Sequence, residues 1–144
     1  MKASKQEVII NHPAKSIYEI VLDIEKYPEF IPWCSAVLIR SKTKKNIIAD
    51  LIVQYNFFQK TFTSDVRFDS NNLIIDVIYI EGPLKNLHNH WKFEKINDKM
   101  TKVLFEIKFE FNSIIYQKIT EFFFDLIKNK MIFSFKKRAD KILN

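Results

Sequence analysis

The sequence predicts an α+β domain in which a curved antiparallel sheet of about seven strands wraps on a long C-terminal helix, and three observations predict it. From Ala36 to Phe111 apolar and polar residues alternate with period two, the mark of strands with one buried face. From Ile114 to Leu143 the chain has neither proline nor glycine and repeats its apolar residues at helical spacing. A length of 144 residues suits one domain around one core, so residues 1–144 are read as a single unit.

The first element is a short β-like run, Glu7 to Ile10, which Asn11-His12-Pro13 ends. Proline suits a first helical turn, and Ile17, Ile20, Val21 and Ile24 follow at i, i+3, i+4 and i+7, predicting a short amphipathic helix that closes near Glu25. Next comes Tyr27-Pro28-Glu29-Phe30-Ile31-Pro32-Trp33-Cys34. Each proline fixes its own φ and pushes the residue before it away from the α region. The segment therefore reads as a rigid aromatic elbow of one or two helical turns, built to cover something apolar. It serves either as a gate, with Phe30, Ile31 and Trp33 against a ligand, or as a plug that closes the core.

Along the strands, Ile47, Ala49, Leu51, Val53 and Tyr55 share one face, and Phe62, Ser64, Val66 and Phe68 share one face of the next. Leu73 to Ile80 is apolar on both parities except at Asp76. Leu87, Trp91 and Phe93 alternate with His88, His90, Lys92 and Glu94, and Val103 to Phe111 continues the pattern. Turn residues at 44–46, 56–59, 70–72, 82–83 and 97–98 separate the runs into a sequential meander. Asn112-Ser113 is a candidate N-cap for the last helix. That helix would be about 45 Å long. Ile115, Ile119, Phe122, Phe123, Leu126, Ile127, Met131, Phe135, Ala139 and Ile142 form its apolar stripe.

A helix of that length is the one element able to cover the concave face of such a sheet, and strong curvature leaves space between the two. The parity of the strands, the stripe and the elbow give the residues of this cavity or its gate. They are Tyr27, Phe30, Ile31 and Trp33 from the elbow; Leu51, Val53, Tyr55, Phe62, Val66, Phe68, Trp91, Phe93 and Phe109 from strands; and Ile115, Phe122 and Phe123 from the helix. For Trp91 and Phe93, core packing and ligand contact are both open.

Composition narrows the partners. Hydrophobic residues make up 47% of the chain and there are 14 phenylalanines, so either the core or a cavity is rich in aromatic rings. The net charge is +6, which favours anionic partners, yet only Arg40, Arg67 and Arg138 of the 23 basic residues are not lysine, a bias that codon usage alone produces. Lys42 to Lys45 reads as a solvated turn. Cys34 is the only cysteine, which rules out an internal disulfide and suits a buried structural thiol. Met1 to Glu7 lacks the apolar region of a secretory signal, and no run is long enough to span a membrane, so the expected location is cytoplasmic, with membrane contact only from the surface.

The inward parities carry few groups for acid–base chemistry: Ser64, Tyr55, Asn89, and either Asp76 or Tyr79 depending on register. Gly82 is the single glycine, which excludes a phosphate-cradling loop, and no nucleophile–base pair stands out. His88 and His90 at i, i+2 have the spacing of metal ligands but no evident third partner, and the expected reading is a solvated outer face. Lys42, Lys44, Lys45, Lys85, Lys92 and Lys136-Lys137-Arg138 would supply phosphate contacts to an RNA.

The string Val21-Leu22-Asp23-Ile24-Glu25-Lys26-Tyr27-Pro28-Glu29-Phe30-Ile31-Pro32-Trp33-Cys34, with Gly82-Pro83-Leu84-Lys85-Asn86-Leu87, Trp91-Lys92-Phe93 and Phe135-Lys136-Lys137-Arg138-Ala139, resembles the coenzyme Q-binding, START-like (helix-grip) family. That family takes in bacterial RatA-type proteins and mitochondrial homologues within the polyketide cyclase/dehydrase-like superfamily. Leu84 departs from it, where phenylalanine is more usual. The resemblance implies a helix-grip fold that binds ubiquinone or a similar isoprenoid quinone as ligand, needs no cofactor, and supports its delivery in respiration and ubiquinone biosynthesis from the cytoplasm or the periphery of the inner membrane. Its first alternative is a toxin-like protein that binds the large ribosomal subunit and hinders subunit joining, and its second, a weaker one, is a cyclase or dehydratase. No DNA partner is expected. Tyr55, Tyr79 and Ser64 are candidate hydrogen-bond donors to a quinone head.

Overall fold

The computed structural model describes residues 2–111 and 117–143. The chain runs β1 (Lys2–Ile10), α1 (Ala14–Leu22), a 3-10 helix (Ile24–Glu29), β2 (Cys34–Lys42), β3 (Asn46–Tyr55), β4 (Phe58–Asp69), β5 (Ile74–Glu81), β6 (Leu84–Asn97), β7 (Met100–Phe111), α2 (Gln117–Leu126), a π-helical turn (Ile127–Met131) and α3 (Ile132–Leu143). The strands form one sheet in the order β1-β7-β6-β5-β4-β3-β2, every pair antiparallel. This is the fold class expected from the alternation and the C-terminal stripe.

β2 to β7 are a meander of hairpins. β1 instead pairs with β7, from Lys2 opposite Phe109 to Ile10 opposite Thr101. α1 and the 3-10 helix therefore carry the chain from one edge of the sheet to the other. Period-two alternation places the core: Val103, Phe105, Ile107 and Phe109 are buried on the concave face, while Lys102, Glu106 and Lys108 take the other parity.

Three boundaries differ from expectation, each for a local reason. β1 begins at Lys2 rather than Glu7, because main-chain bonds to β7 make a strand of residues whose side chains give no apolar pattern. α1 stops at Leu22: Asp23 leaves the helical region at φ −80°, ψ 69°, and the chain tightens into a 3-10 helix that contains Pro28. The C-terminal helix is interrupted by its π-helical turn, a widening that is frequent at functional sites. The expected cap at Asn112-Ser113, together with Ile114 and Ile115, lies outside the described residues, as does the side chain of Ile119.

Cross-strand ion pairs lace the convex face. Lys5–Glu106 (3.6 Å), Lys102–Glu7 (3.7 Å) and Arg40–Asp50 (2.7 Å) are examples. Register brings Asp76 between the two histidines, with its Oδ1 2.7 Å from His90 Nδ1 and 3.1 Å from His88 Nε2. Tyr79 takes the concave parity that the sequence left open between it and Asp76. Among the described residues no group of three carboxylate, imidazole or thiol side chains is arranged to hold a metal. The Lys42–Lys45 turn is exposed and closed by Thr43, whose hydroxyl lies 2.6 Å from Asn46 Oδ1 and accepts the N–H groups of Lys45 and Asn46.

Two polar ties are buried. Thr101 Oγ1 donates to the His12 carbonyl (2.6 Å), and His12 Nε2 sits 2.8 Å from Asp140, which joins the start of β7, the entry to α1 and the end of α3. On the convex side Asp50 accepts from Thr63 Oγ1 (2.6 Å) and Arg40 Nε (2.7 Å). The Thr63 hydroxyl first, then Arg40, holds the Asp50 carboxyl below the usual carboxylate range.

A depressed folded-state pKa adds stability above the unfolded value of about 4, and that stability is lost as pH falls through the folded value. Asp50→Asn should therefore flatten the acid limb of a stability–pH profile measured by urea unfolding, with its largest cost at neutral pH. Gly82 has φ +147°, and a Cβ there would stand 2.9 Å from the Thr61 carbonyl and from the Tyr79 hydroxyl. Gly82→Ala should lower unfolding free energy by about 1–3 kcal/mol in the same assay.

Candidate ligand-binding cavity

Between the concave face and the C-terminal helix lies an apolar cavity of about 150 Å³. The sheet supplies one wall, through Leu51 and Val53 of β3, Phe62, Ser64 and Val66 of β4, Ile75 and Val77 of β5, Leu84, Leu87, Asn89 and Trp91 of β6, and Ile107 and Phe109 of β7. Phe123, Leu126, Ile127, Met131 and Phe135 close it from the C-terminal helix, so the π-helical turn itself contributes two side chains. Val21 and Ile24, with Tyr27, Ile31, Trp33 and Cys34 of the elbow, complete it. Among the described residues no charged side chain lines it.

The elbow is fixed where it stands. The Tyr27 carbonyl accepts from the N–H groups of Phe30 (3.1 Å) and Ile31 (2.8 Å), and Trp33 is tied to β3 by the Gln54 N–H on its carbonyl (3.0 Å). Tyr27 Oη donates to the Val21 carbonyl. Its ring, the Phe30 ring and the Phe135 ring of α3 meet edge to face, with centroids 5.3 to 5.9 Å apart. Arg138 covers the Phe30 ring at 5.0 Å and bonds Glu29 Oε1 at 3.0 Å. The elbow is thus one wall of the cavity and is clamped to α3.

Of the expected cavity or gate residues, Tyr27, Ile31, Trp33, Leu51, Val53, Phe62, Val66, Trp91, Phe109 and Phe123 line the space. Five do not, because another element reaches each of them first. Phe30 is taken by Tyr27, Phe135 and Arg138. Phe93 packs on Tyr18 of α1 at 5.8 Å, edge to face. Phe68 lies in a separate groove between the end of α1 and the sheet, beside Leu22, Ile39 and Ile47. Tyr55 and Phe122 stack on each other at 3.7 Å near the β3–β4 turn, with Tyr55 exposed. Ile115 lies outside the described residues. Sequence reasoning left Ile75, Val77 and Ile107 off the cavity, although they share the parity of its other strand residues.

Its polar groups are few. Burial pushes the Cys34 thiol up to about 11, and its Sγ–H points to the Ala36 carbonyl at 3.8 Å. Burial likewise raises Tyr27, whose proton is committed to Val21. The Trp91 indole N–H donates to Asn89 Oδ1 at 3.2 Å. Of the three donors considered for a quinone head, only Ser64 lines the cavity. Tyr79 Oη accepts the Leu84 N–H (2.9 Å) at the β5–β6 turn, and Tyr55 stands outside on Phe122.

A family model described as polyketide cyclase/dehydrase and lipid transport matches residues 10–136. The ribosome association toxin RatA of Rickettsia prowazekii is 31% identical over 138 residues, covering 94% of each chain. The mitochondrial coenzyme Q-binding protein of Dictyostelium discoideum is 28% identical over 136 residues, covering 92% of this chain and 66% of that protein. Among solved structures, the ZhuI aromatase/cyclase of a Streptomyces species superposes with a TM-score of 0.87 over 99% of this chain and 96% of its own at 14% identity, a likeness of fold.

Phe135 touches Trp91 as well as the elbow rings, so Phe135→Ala should cost about 3–5 kcal/mol in chemical unfolding. Arg138→Ala removes only the outer clamp. It should speed hydrogen exchange at Phe30 and Ile31 selectively while exchange in β6 and β7 stays unchanged.

Proposed function

The chain belongs to the polyketide cyclase/dehydrase and lipid transport family, and on that premise we propose that it is a non-enzymatic carrier of an isoprenoid quinone such as ubiquinone, or of a related lipid. One observation carries this reading: an apolar cavity, free of charged side chains among the described residues, between sheet and C-terminal helix. Affinity comes from burial of apolar surface, at roughly 25 cal/mol per Å². The similarity to a coenzyme Q-binding protein supports the choice of ligand. The state of the cavity's ionisable groups favours carriage over catalysis, since the Cys34 thiol stays protonated near neutral pH and the Tyr27 proton is engaged. No cofactor beyond the bound lipid is needed. The protein would work in the cytoplasm and touch an anionic inner membrane from its surface. Phe57, fully exposed on the two-residue β3–β4 turn, and nearby Lys60 suit such contact.

A second reading has its own support. Lys130, Lys136, Lys137 and Lys141 are exposed along the C-terminal helix, and none has an ion-pair partner among the described residues. Phosphates of the large ribosomal subunit would complement that row, and the similarity to a ribosome association toxin favours it. Carriage and ribosome binding use different surfaces.

Gentle purification, solvent extraction and mass spectrometry should recover an isoprenoid quinone. Recovering none, with no uptake of added ubiquinone, overturns the carrier reading. For the second, the protein should sediment with large subunits at low salt and be released steeply as salt rises, and the double variant Lys136→Glu, Lys137→Glu should release earlier. Failure to sediment at low salt overturns it.

A further inference from the structure

The cavity wall carries two hydrogen-bond donors that find no acceptor among the described residues. Trp91 Nε1–H can only donate, so the atom of Asn89 facing it at 3.2 Å is the carbonyl oxygen Oδ1. That contact sets the carboxamide's orientation and leaves both Nδ2 protons with no acceptor among the described residues. Ser64, 6% exposed, likewise has no side-chain hydrogen bond among them. The other polar atoms of the wall are committed, the Tyr27 hydroxyl to Val21 and the Cys34 thiol to Ala36. Ser64 is buried and Asn89 half-buried, and polar groups left without partners in an apolar space are uncommon, so the two call for acceptors that arrive with a ligand.

Register gives the spacing of the pair. Val66 stands opposite Val77 and Val77 opposite Asn89, while Ser64 is two residues from Val66 on its own strand. Two strand spacings and two residue rises put the Ser64 and Asn89 Cα atoms ~12 Å apart on the concave wall. Both side chains reach inward from there, which leaves between them about the width of one ring with oxygens on opposite sides. Volume agrees: about 150 Å³ is the size at which an apolar cavity takes up a single benzene-sized ring, and a long isoprenoid chain does not fit within it. With no cation facing the cavity among the described residues, an ionised acid would be buried without a counter-charge.

We propose that the cavity is a ring site: it takes a neutral ring bearing carbonyl or ether oxygens, ring first, with Ser64 Oγ–H and Asn89 Nδ2–H donating to those oxygens, and any attached tail lies outside this space. The inference rests on the lipid-carrier reading and fixes which end of the lipid the cavity recognises. Ser64 and Asn89 are binding residues in it, and the selectivity is for oxygen acceptors rather than for hydrocarbon length.

Trp33 and Trp91 are the only tryptophans and both line the cavity, so quenching of intrinsic fluorescence reports occupancy by a quinone. The full-length protein, stripped of lipid, is titrated with a tail-less dimethoxy-methyl-benzoquinone and with the same ring carrying a ten-carbon tail. Two oxygen-free competitors, para-xylene and squalene, are scored by displacement. The tail-less quinone should bind, and para-xylene, a ring of similar size, should compete at least tenfold more weakly. Ser64→Ala should weaken quinone binding about fivefold to tenfold and leave displacement by para-xylene unchanged. Squalene displacing the tailed quinone as well as that quinone's own unlabelled form, with Ser64→Ala neutral, overturns ring-first binding and leaves the carrier reading standing. Absence of binding by every probe overturns both. The comparison of quinone with para-xylene uses the unmodified chain, so it decides the question even if Ser64→Ala folds poorly.

Discussion

The ring of Phe135 is where this molecule is joined. It comes from α3, is 4% exposed, and meets Tyr27 and Phe30 of the elbow on one side and Trp91 of the sheet on the other, each at a centroid distance of 5.2 to 5.4 Å. A helix laid over a curved sheet has no backbone bonds to hold it there, so side-chain packing must fix its height and rotation. With Phe135 seated, the stripe ahead of it brings Ile127, Leu126 and Phe123 over the concave face, and Arg138 falls on Phe30 and Glu29. The cavity exists because this contact holds the helix at one end while curvature draws the sheet away beneath α2 and the π-helical turn.

Much of this was legible in the chain. Parity alone told which strand residues face inward, and it was right for β3, β4, β6 and β7, because burying one face of a sheet forces period two. Parity gives a face but not a position along it. Phe93 and Phe62 share the concave face, yet Phe93 lies under α1 against Tyr18 while Phe62 opens onto the cavity. That difference depends on where α1 and the C-terminal helix cross the sheet, which no local pattern encodes. For the same reason the elbow's four aromatic and aliphatic residues divided: Tyr27, Ile31 and Trp33 line the space, and Phe30 was captured by α3. Strand pairing also escaped local reading. Asp76 joins His88 and His90 only because β5 sits beside β6 in that register, and Lys2 to Gln6 is a strand only because β7 lies next to it.

With Ser64 and Asn89 as ring-binding residues, as we propose, the wall would be a compromise between stability and recognition. A cavity lined only by Val, Ile, Leu and Phe would be more stable empty, yet it could not distinguish one apolar occupant from another beyond size. Ser64 and Asn89 bring polar groups into an otherwise apolar wall at a cost in stability, and Trp91 holds the amide while also packing on Phe105 at 4.3 Å. A single indole therefore serves the core with its ring and the cavity with its nitrogen.

The pairing of β1 with β7 also governs how the chain can be made. Lys2 and Phe109 are partners, so the first strand synthesised has no place in the sheet until the last strand has left the ribosome, and the C-terminal helix follows later still. Until then the concave face, with Phe62, Trp91 and Phe105, has no lid. Contacts this distant in sequence slow folding and prolong exposure of apolar surface. The nascent chain thus passes through a stage in which its future interior is its stickiest exterior.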